Sequence, residues 1–252
     1  MRKTIIAGNW KMNKTAAEAK TFIEEFKPMV ADIDSVEIVL CPVFTALTSA
    51  VEAAAGSNVK IGAQNIHWAA NGAYTGEISA AMLKETGVDY VIIGHSERRQ
   101  YFGETDETVN QRLNAALEAG LIPMVCIGEL LEEREGGKTE SVMDTQLKGG
   151  LAGISKEDME KIVIAYEPVW AIGTGKTATP EMAEETHAYI RKVLTEMFGA
   201  ETAEKVRIQY GGSMKGANSA ELIAQADIDG GLVGGAALEP ASFAELIKNA
   251  CV

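Results

Sequence analysis

In 252 residues the chain carries 23 basic and 36 acidic side chains, a formal net charge of 23 − 36 = −13. Nucleic acid and anionic membrane surfaces are held by clustered lysine and arginine, so this balance excludes both as bulk electrostatic partners. With 46% hydrophobic and 23% charged residues the chain can bury a sizeable core, which excludes the disordered class.

From Met1 to Gly8 two charges precede an apolar run too short for a secretion signal, and no run is long enough to span a bilayer. The first strand is expected at 4–8. Thr15 and Glu18 then have the spacing of a capping box, which starts a helix. Strands follow at 37–41, 59–63 and 90–94. Val109, Leu113, Ala116 and Leu117 repeat at i, i+4, i+7 and i+8, one buried face of a helix. After a strand at 122–127, Ser155 and Asp158 offer a second capping box ahead of a strand at 162–166. Thr179 before Pro180 starts another helix, with proline where its missing N–H is harmless. The last strands are expected at 207–210 and 231–233. Strands alternating with helices imply parallel pairing through crossovers. Eight such units, with no low-complexity linker, predict one α/β domain over 1–252, a closed (β/α)8 barrel; an open doubly wound sheet is the alternative that periodicity leaves standing. The cysteines Cys41, Cys126 and Cys251 stand far apart, which suggests neither a disulfide framework nor a metal knuckle and points to reducing cytosol.

Chemically versatile residues recur just after the strands, where a barrel gathers its active-site loops. They are Asn9 and Lys11, Gln64 and Asn65, His95 to Arg99, Gly128 and Glu129, Glu167, Gly211 to Ser213, and Gly234 and Gly235. Singly each has a bland reading as a turn residue, a satisfied histidine or a salt-bridged glutamate. Glu167, ending an apolar run and followed by proline, is expected to be partly desolvated, with its pKa raised toward that of a general base. Paired glycines after two adjacent strands would let backbone amides approach a phosphate. Other motifs fail: five residues before Gly175-Lys176-Thr177 a nucleotide-binding loop needs glycine, and Trp170 stands there. With three histidines and no ligand spacing, no metal site is expected.

Taken together, Asn9-Trp10-Lys11-Met12-Asn13, Gly62-Ala63-Gln64-Asn65, Gly94-His95-Ser96-Glu97-Arg98-Arg99, Cys126-Ile127-Gly128-Glu129, the run from Tyr166 to Lys176, Tyr210-Gly211-Gly212-Ser213 and Leu232-Val233-Gly234-Gly235 closely resemble the triosephosphate isomerase family. The resemblance spans essentially the whole chain. It implies interconversion of dihydroxyacetone phosphate and glyceraldehyde 3-phosphate through an enediolate, without cofactor or metal. By motif match Glu167 is the base and His95 the electrophile, helped by Asn9 and Lys11, with Ser96, Glu97 and Cys126 in support. This family is itself the standard case of a histidine kept neutral by a helix start, and His95 is expected to follow it. Gly173, Ser213, Gly234 and Gly235 match the phosphate-binding donors. Pro168, Val169, Trp170, Ala171, Ile172, Gly173, Thr174, Gly175, Lys176 and Thr177 match the family's mobile lid, which keeps the enediolate phosphate from eliminating phosphate in water. The stretch Asn71 to Glu77 resembles a loop that enters a neighbouring subunit, with Thr75 near the partner's Asn9 and His95, and so implies a homodimer.

Gly231 and Ala237 stand where many relatives have an aromatic residue and a serine, and Met214 stands where valine is usual. A gap at Gly231 is expected to be refilled by a neighbouring Met or Leu. Two other functions compete. A Schiff-base aldolase needs a lysine desolvated inside a strand, whereas Lys60 and Lys161 fall at or before strand starts. A non-catalytic barrel scaffold serving as a binding protein would predict loss of the base, electrophile or lid, and all three motifs are present.

Overall fold

The computed structural model describes residues 2–172 and 178–251. Eight strands, β1 (Thr4–Asn9), β2 (Val36–Cys41), β3 (Val59–Ala63), β4 (Tyr90–Ile93), β5 (Ile122–Ile127), β6 (Val163–Tyr166), β7 (Arg207–Tyr210) and β8 (Gly230–Val233), pair in sequence order into a closed barrel. Every pairing is parallel. β8 returns to β1 with Ile5 opposite Gly230 and Gly8 opposite Val233, which rules out the open sheet. Helices cover the outside, as parallel crossovers require. None of the described helices is long and apolar enough to cross a membrane.

Alternation along each strand builds two cores. Ile5, Ala7, Val39, Tyr90, Ile92, Met124, Val163 and Ala165 belong to one cluster inside the barrel, while Ile6, Ile38, Val91, Val125 and Ile164 pack against the helices. Asn9 and Glu167 continue the inward parity of Ile5–Ala7 and Val163–Ala165, so the pattern that fills the core also aims these two side chains into the barrel mouth. Gly231, with the outward parity of Ile6 and Val233, leaves room between β8 and the helices, and Met214 fills it: a Cβ on Gly231 would collide with the thioether sulfur. The expected refilling is therefore observed.

The helix starts follow the sequence with one exception. The Thr15 hydroxyl accepts from the Glu18 amide at 3.3 Å and the Glu18 carboxylate accepts from the Thr15 amide at 2.7 Å, a reciprocal box. Thr179 accepts from Met182 N–H at 3.2 Å, with Pro180 opening the helix Pro180–Phe198. At Ser155 only half the box forms. The hydroxyl accepts from the Asp158 amide at 3.1 Å, but the Asp158 carboxylate takes the Ser155 hydroxyl at 2.9 Å. Aspartate is one methylene shorter than glutamate, which favours the nearer hydroxyl over the backbone amide.

Candidate functional site

A cavity of about 430 Å³ opens at the C-terminal mouth of the barrel, lined by Asn9, Lys11, His95, Glu167, Ser213, Gly234 and Gly235 among others. Residues singled out in the sequence thus meet at one place, brought there by strands β1, β4, β6, β7 and β8.

β4 ends at Ile93, and the helix Ser96–Phe102 begins two residues after Gly94, with His95 as its cap. His95 Nδ1 accepts from the Glu97 amide at 3.2 Å, so the proton of a neutral ring sits on Nε2, which lies 2.9 Å from Glu167 Oε1. The same helix start holds Glu167 from the other side. The Ser96 amide donates to Oε2 at 2.9 Å and the Ser96 hydroxyl to Oε1 at 3.3 Å. Glu167 is thereby buried with three donors around it.

These contacts reverse two expectations. Burial raises the pKa of Glu167, but the His95 ring and the Ser96 amide outweigh it and hold the carboxyl below its ordinary value. Burial opposes protonation of His95, yet the adjacent Glu167 carboxylate outweighs that and draws the pKa upward instead of letting the helix start lower it. The Glu97 amide pointing at Nδ1 resists a second proton there, because an imidazolium has no lone pair to accept it. The neutral ring with Nε2–H given to Glu167 satisfies every hydrogen bond. Sequence reasoning missed both directions because Glu167 and its partners are more than seventy residues apart along the chain.

Lys11 has a positive φ of 52°, uncommon for a side-chain-bearing residue. Its amide donates to Asn9 Oδ1 at 3.0 Å, and its carbonyl accepts from Gln64 Nε2 at 2.9 Å. The ammonium reaches Glu97 Oε1 at 2.6 Å. Gln64 stood among the strand-end residues in the sequence, but its hold on Lys11 was not foreseen. Cys126, fully buried at the end of β5, has its thiol pushed well up by burial and by the Glu167 charge, which makes it a neutral neighbour of the carboxylate.

Of the expected lid, Val169–Ala171 form a single 3-10 turn after Pro168, and Ile172 lines the cavity with Ala171. Trp170 Nε1 donates to Glu129 Oε1 at 2.9 Å, and Tyr166 donates to the same oxygen at 3.0 Å. Glu129 is the anchor of this segment, a role that the motif Cys126 to Glu129 did not reveal. Gly173, Thr174, Gly175, Lys176 and Thr177 lie outside the described residues. Ser213 follows β7, and Gly234 precedes the 3-10 turn Gly235–Leu238; a Cβ on Gly234 would come within 3.7 Å of the Lys11 side chain. Thr75 is not part of this cavity. It lies on an exposed loop, in a chain that also exposes Met12, Tyr74, Tyr101 and Phe102.

The triosephosphate isomerase family model matches residues 4–250. The chain is 59% identical to triosephosphate isomerase of Solibacter usitatus, with 98% of this chain and 100% of that protein aligned. It is 58% identical to the protein of the same name from Fusobacterium nucleatum, over 98% of this chain and 99% of the relative. A triosephosphate isomerase of Clostridium botulinum is also 58% identical, over 98% and 100%.

Proposed function

The chain belongs to the triosephosphate isomerase family, and we propose that Glu167, His95, Lys11 and Asn9 carry its reaction. The enzyme interconverts dihydroxyacetone phosphate and D-glyceraldehyde 3-phosphate, an aldose–ketose isomerisation. The observation that carries the assignment of roles is the Glu167 carboxylate standing 2.9 Å from His95 Nε2 in the wall of a cavity that Lys11 also lines.

Glu167 leaves Ser96 and takes a proton from the carbon next to the carbonyl, then returns it to the neighbouring carbon. His95, neutral because the Glu97 amide occupies Nδ1, gives its Nε2–H to the carbonyl oxygen as negative charge develops there. A neutral imidazole suits this step, because it can supply one proton and recover another between the two oxygens of an enediolate. Once substrate separates the pair, the carboxylate that raises the His95 pKa is gone and the helix amide dominates. Lys11 supplies the fixed positive charge, held by Glu97. Asn9 uses its oxygen on the Lys11 amide, which leaves its Nδ2 for the substrate oxygens. The phosphate is placed against backbone amides of Ser213, Gly234 and Gly235, with Gly173 as the fourth donor. Ile172 and Trp170 supply apolar cover over the cavity, protecting the enediolate from elimination.

The homodimer is part of the same proposal. A second cavity, of about 210 Å³, reaches Asn9, Lys11 and His95 from the side where Met12 and Phe102 are exposed. It receives the loop bearing Thr75 from the partner subunit. The cytoplasm is the expected compartment, since triose phosphates do not cross membranes unaided and the exposed Cys251 thiol survives in a reducing environment.

A coupled assay with glyceraldehyde 3-phosphate tests the roles. Glu167→Gln is expected to lower kcat by roughly 10² to 10⁴ with the fold intact. Equal activity in parent and variant would show the base to be misassigned, and an inactive parent would favour a scaffold.

A further inference from the structure

Gly128 lies between β5 and Glu129, and its backbone is gripped by one side chain. Gln146, on the helix Thr139–Gly150, accepts from the Gly128 amide through Oε1 at 2.8 Å and donates to the Gly128 carbonyl through Nε2 at 3.0 Å. The two bonds close a ring around one residue. Turning the amide over would set N–H against N–H and oxygen against oxygen, so its orientation follows from geometry.

The residues on either side of Gly128 hold the functional segment. Ile127 O accepts from the Glu167 amide at 2.7 Å, and Glu129 O accepts from the Val169 amide at 3.2 Å. Glu129 also anchors Trp170 through its carboxylate. Between these bonds Gly128 lies so close to the Glu167 carbonyl that a Cβ would collide with it. A shift of Gly128 is therefore passed directly to the backbone of Glu167 and to the first residues of the segment that follows.

A cavity of about 370 Å³ is lined by Ser96, Arg99, Gly128, Glu133, Gln146 and Glu167. Gln146 lines this cavity beside Gly128 and holds that residue through both hydrogen bonds.

We infer that Gln146 is a positioning residue, which sets the backbone of Glu167 and the start of the 168–177 segment through its two hydrogen bonds to Gly128. The inference rests on Glu167 being the base.

Two variants test it. Gln146→Met keeps the length and removes both bonds. Gln146→Glu can remake them only when protonated, its carbonyl accepting from the Gly128 amide and its hydroxyl donating to the Gly128 carbonyl. The charged groups that face this position are Arg99 from the helix Ser96–Phe102, Glu133 from the helix Leu131–Glu135, and Glu167. Arg99 is paired with Asp106 at 2.6 Å, and Glu133 accepts from the Leu130 amide at 2.7 Å.

Amide exchange at Glu167 and Val169, followed by NMR, reads the strip without reference to activity. Both amides are expected to exchange roughly tenfold faster in Gln146→Met. In the coupled assay kcat is expected to fall roughly 10- to 100-fold, as for a misplaced reacting group, with KM changed less than about threefold. Relative to the parent at the same pH, Gln146→Glu should be near full activity in mild acid and lose it as pH rises, whereas the ratio for Gln146→Met stays flat.

Parental exchange at both amides in Gln146→Met would overturn the inference, as would a Gln146→Glu to parent ratio that does not change with pH. If Gln146→Met fails to fold, the pH series on Gln146→Glu decides alone. Faster exchange at both amides, together with full activity in Glu167→Gln, would leave the clamp standing and overturn the base assignment instead.

Discussion

His187 is fully buried on the helix Pro180–Phe198, where Nδ1 lies 3.1 Å from the Asp227 carbonyl and Nε2 has no hydrogen-bond partner. The ring therefore donates from Nδ1 and is neutral. Burial pushes its pKa down to about 4 from an ordinary 6.5. Between those values the unfolded chain binds a proton that the folded chain does not, so stability falls as pH drops from about 6.5 and the loss is complete below about 4. The shift corresponds to about 3 kcal/mol. His187→Asn keeps a donor for Asp227 and removes the titration. Urea unfolding between pH 7 and 4 should show a shallower decline in that variant; parallel curves would mean that His187 is not what titrates. Met214 and Gly231 form a second residue-level pair. Gly231→Ala should destabilise by about 1–3 kcal/mol, because the new Cβ and the Met214 sulfur claim one space. Adding Met214→Val should recover part of that loss. Additive effects in the double variant would show that the two sites do not share the space.

At the scale of elements, the caps differ in what their removal should do. Thr15→Ala removes the hydroxyl half of a reciprocal box, leaving the backbone N–H to Glu18, on the helix Ala16–Phe26, whose buried face includes Ala19, Phe22, Ile23 and Phe26. A loss of about 1 kcal/mol is expected by thermal unfolding. Ser155→Ala opens only a four-residue helix at an exposed position and should cost less. An equal or larger loss at Ser155 would contradict this ordering. Such caps were readable because the signal lies within four residues, and so were the strands, whose apolar runs lie within a residue of the observed ends. His95 and Glu167 were readable by position: each follows a strand, and strand ends in a barrel share one face. What joins distant elements was not readable. The lowered pKa of Glu167 comes from Ser96 and His95, and the grip of Gln146 on Gly128 depends on which turn of a helix lies behind β5. Neither leaves a local pattern, since an amide on an amphipathic helix reads as an ordinary polar residue until the strand behind it is placed.

For the molecule as a whole, the charge of −13 and the anionic substrate are compatible, because the proposed phosphate site draws on Lys11 and on backbone amides at Ser213, Gly234 and Gly235 instead of on bulk charge. The same view gives meaning to the exposed apolar residues. Met12 is 93% exposed, Tyr101 74% and Phe102 67%, more than a lone chain gains from leaving in water. Met12 and Phe102 border the 210 Å³ opening that leads to Lys11 and His95. Covering this face with a second copy would bury the apolar rim and close that side of the proposed catalytic residues to water at once, so assembly and activity should fail together. Thr75→Arg places a charge on the loop proposed to enter the opening, where Arg98 already lines the wall. Forcing this bulky charge into the opening should raise the dimer dissociation constant by roughly 10² to 10³. Sedimentation at micromolar concentration should then show monomer, with kcat lowered in the same samples and partly recovered as concentration rises. A fully active dimer of Thr75→Arg would reject the placement of the loop; a fully active monomer would keep the interface but separate it from catalysis.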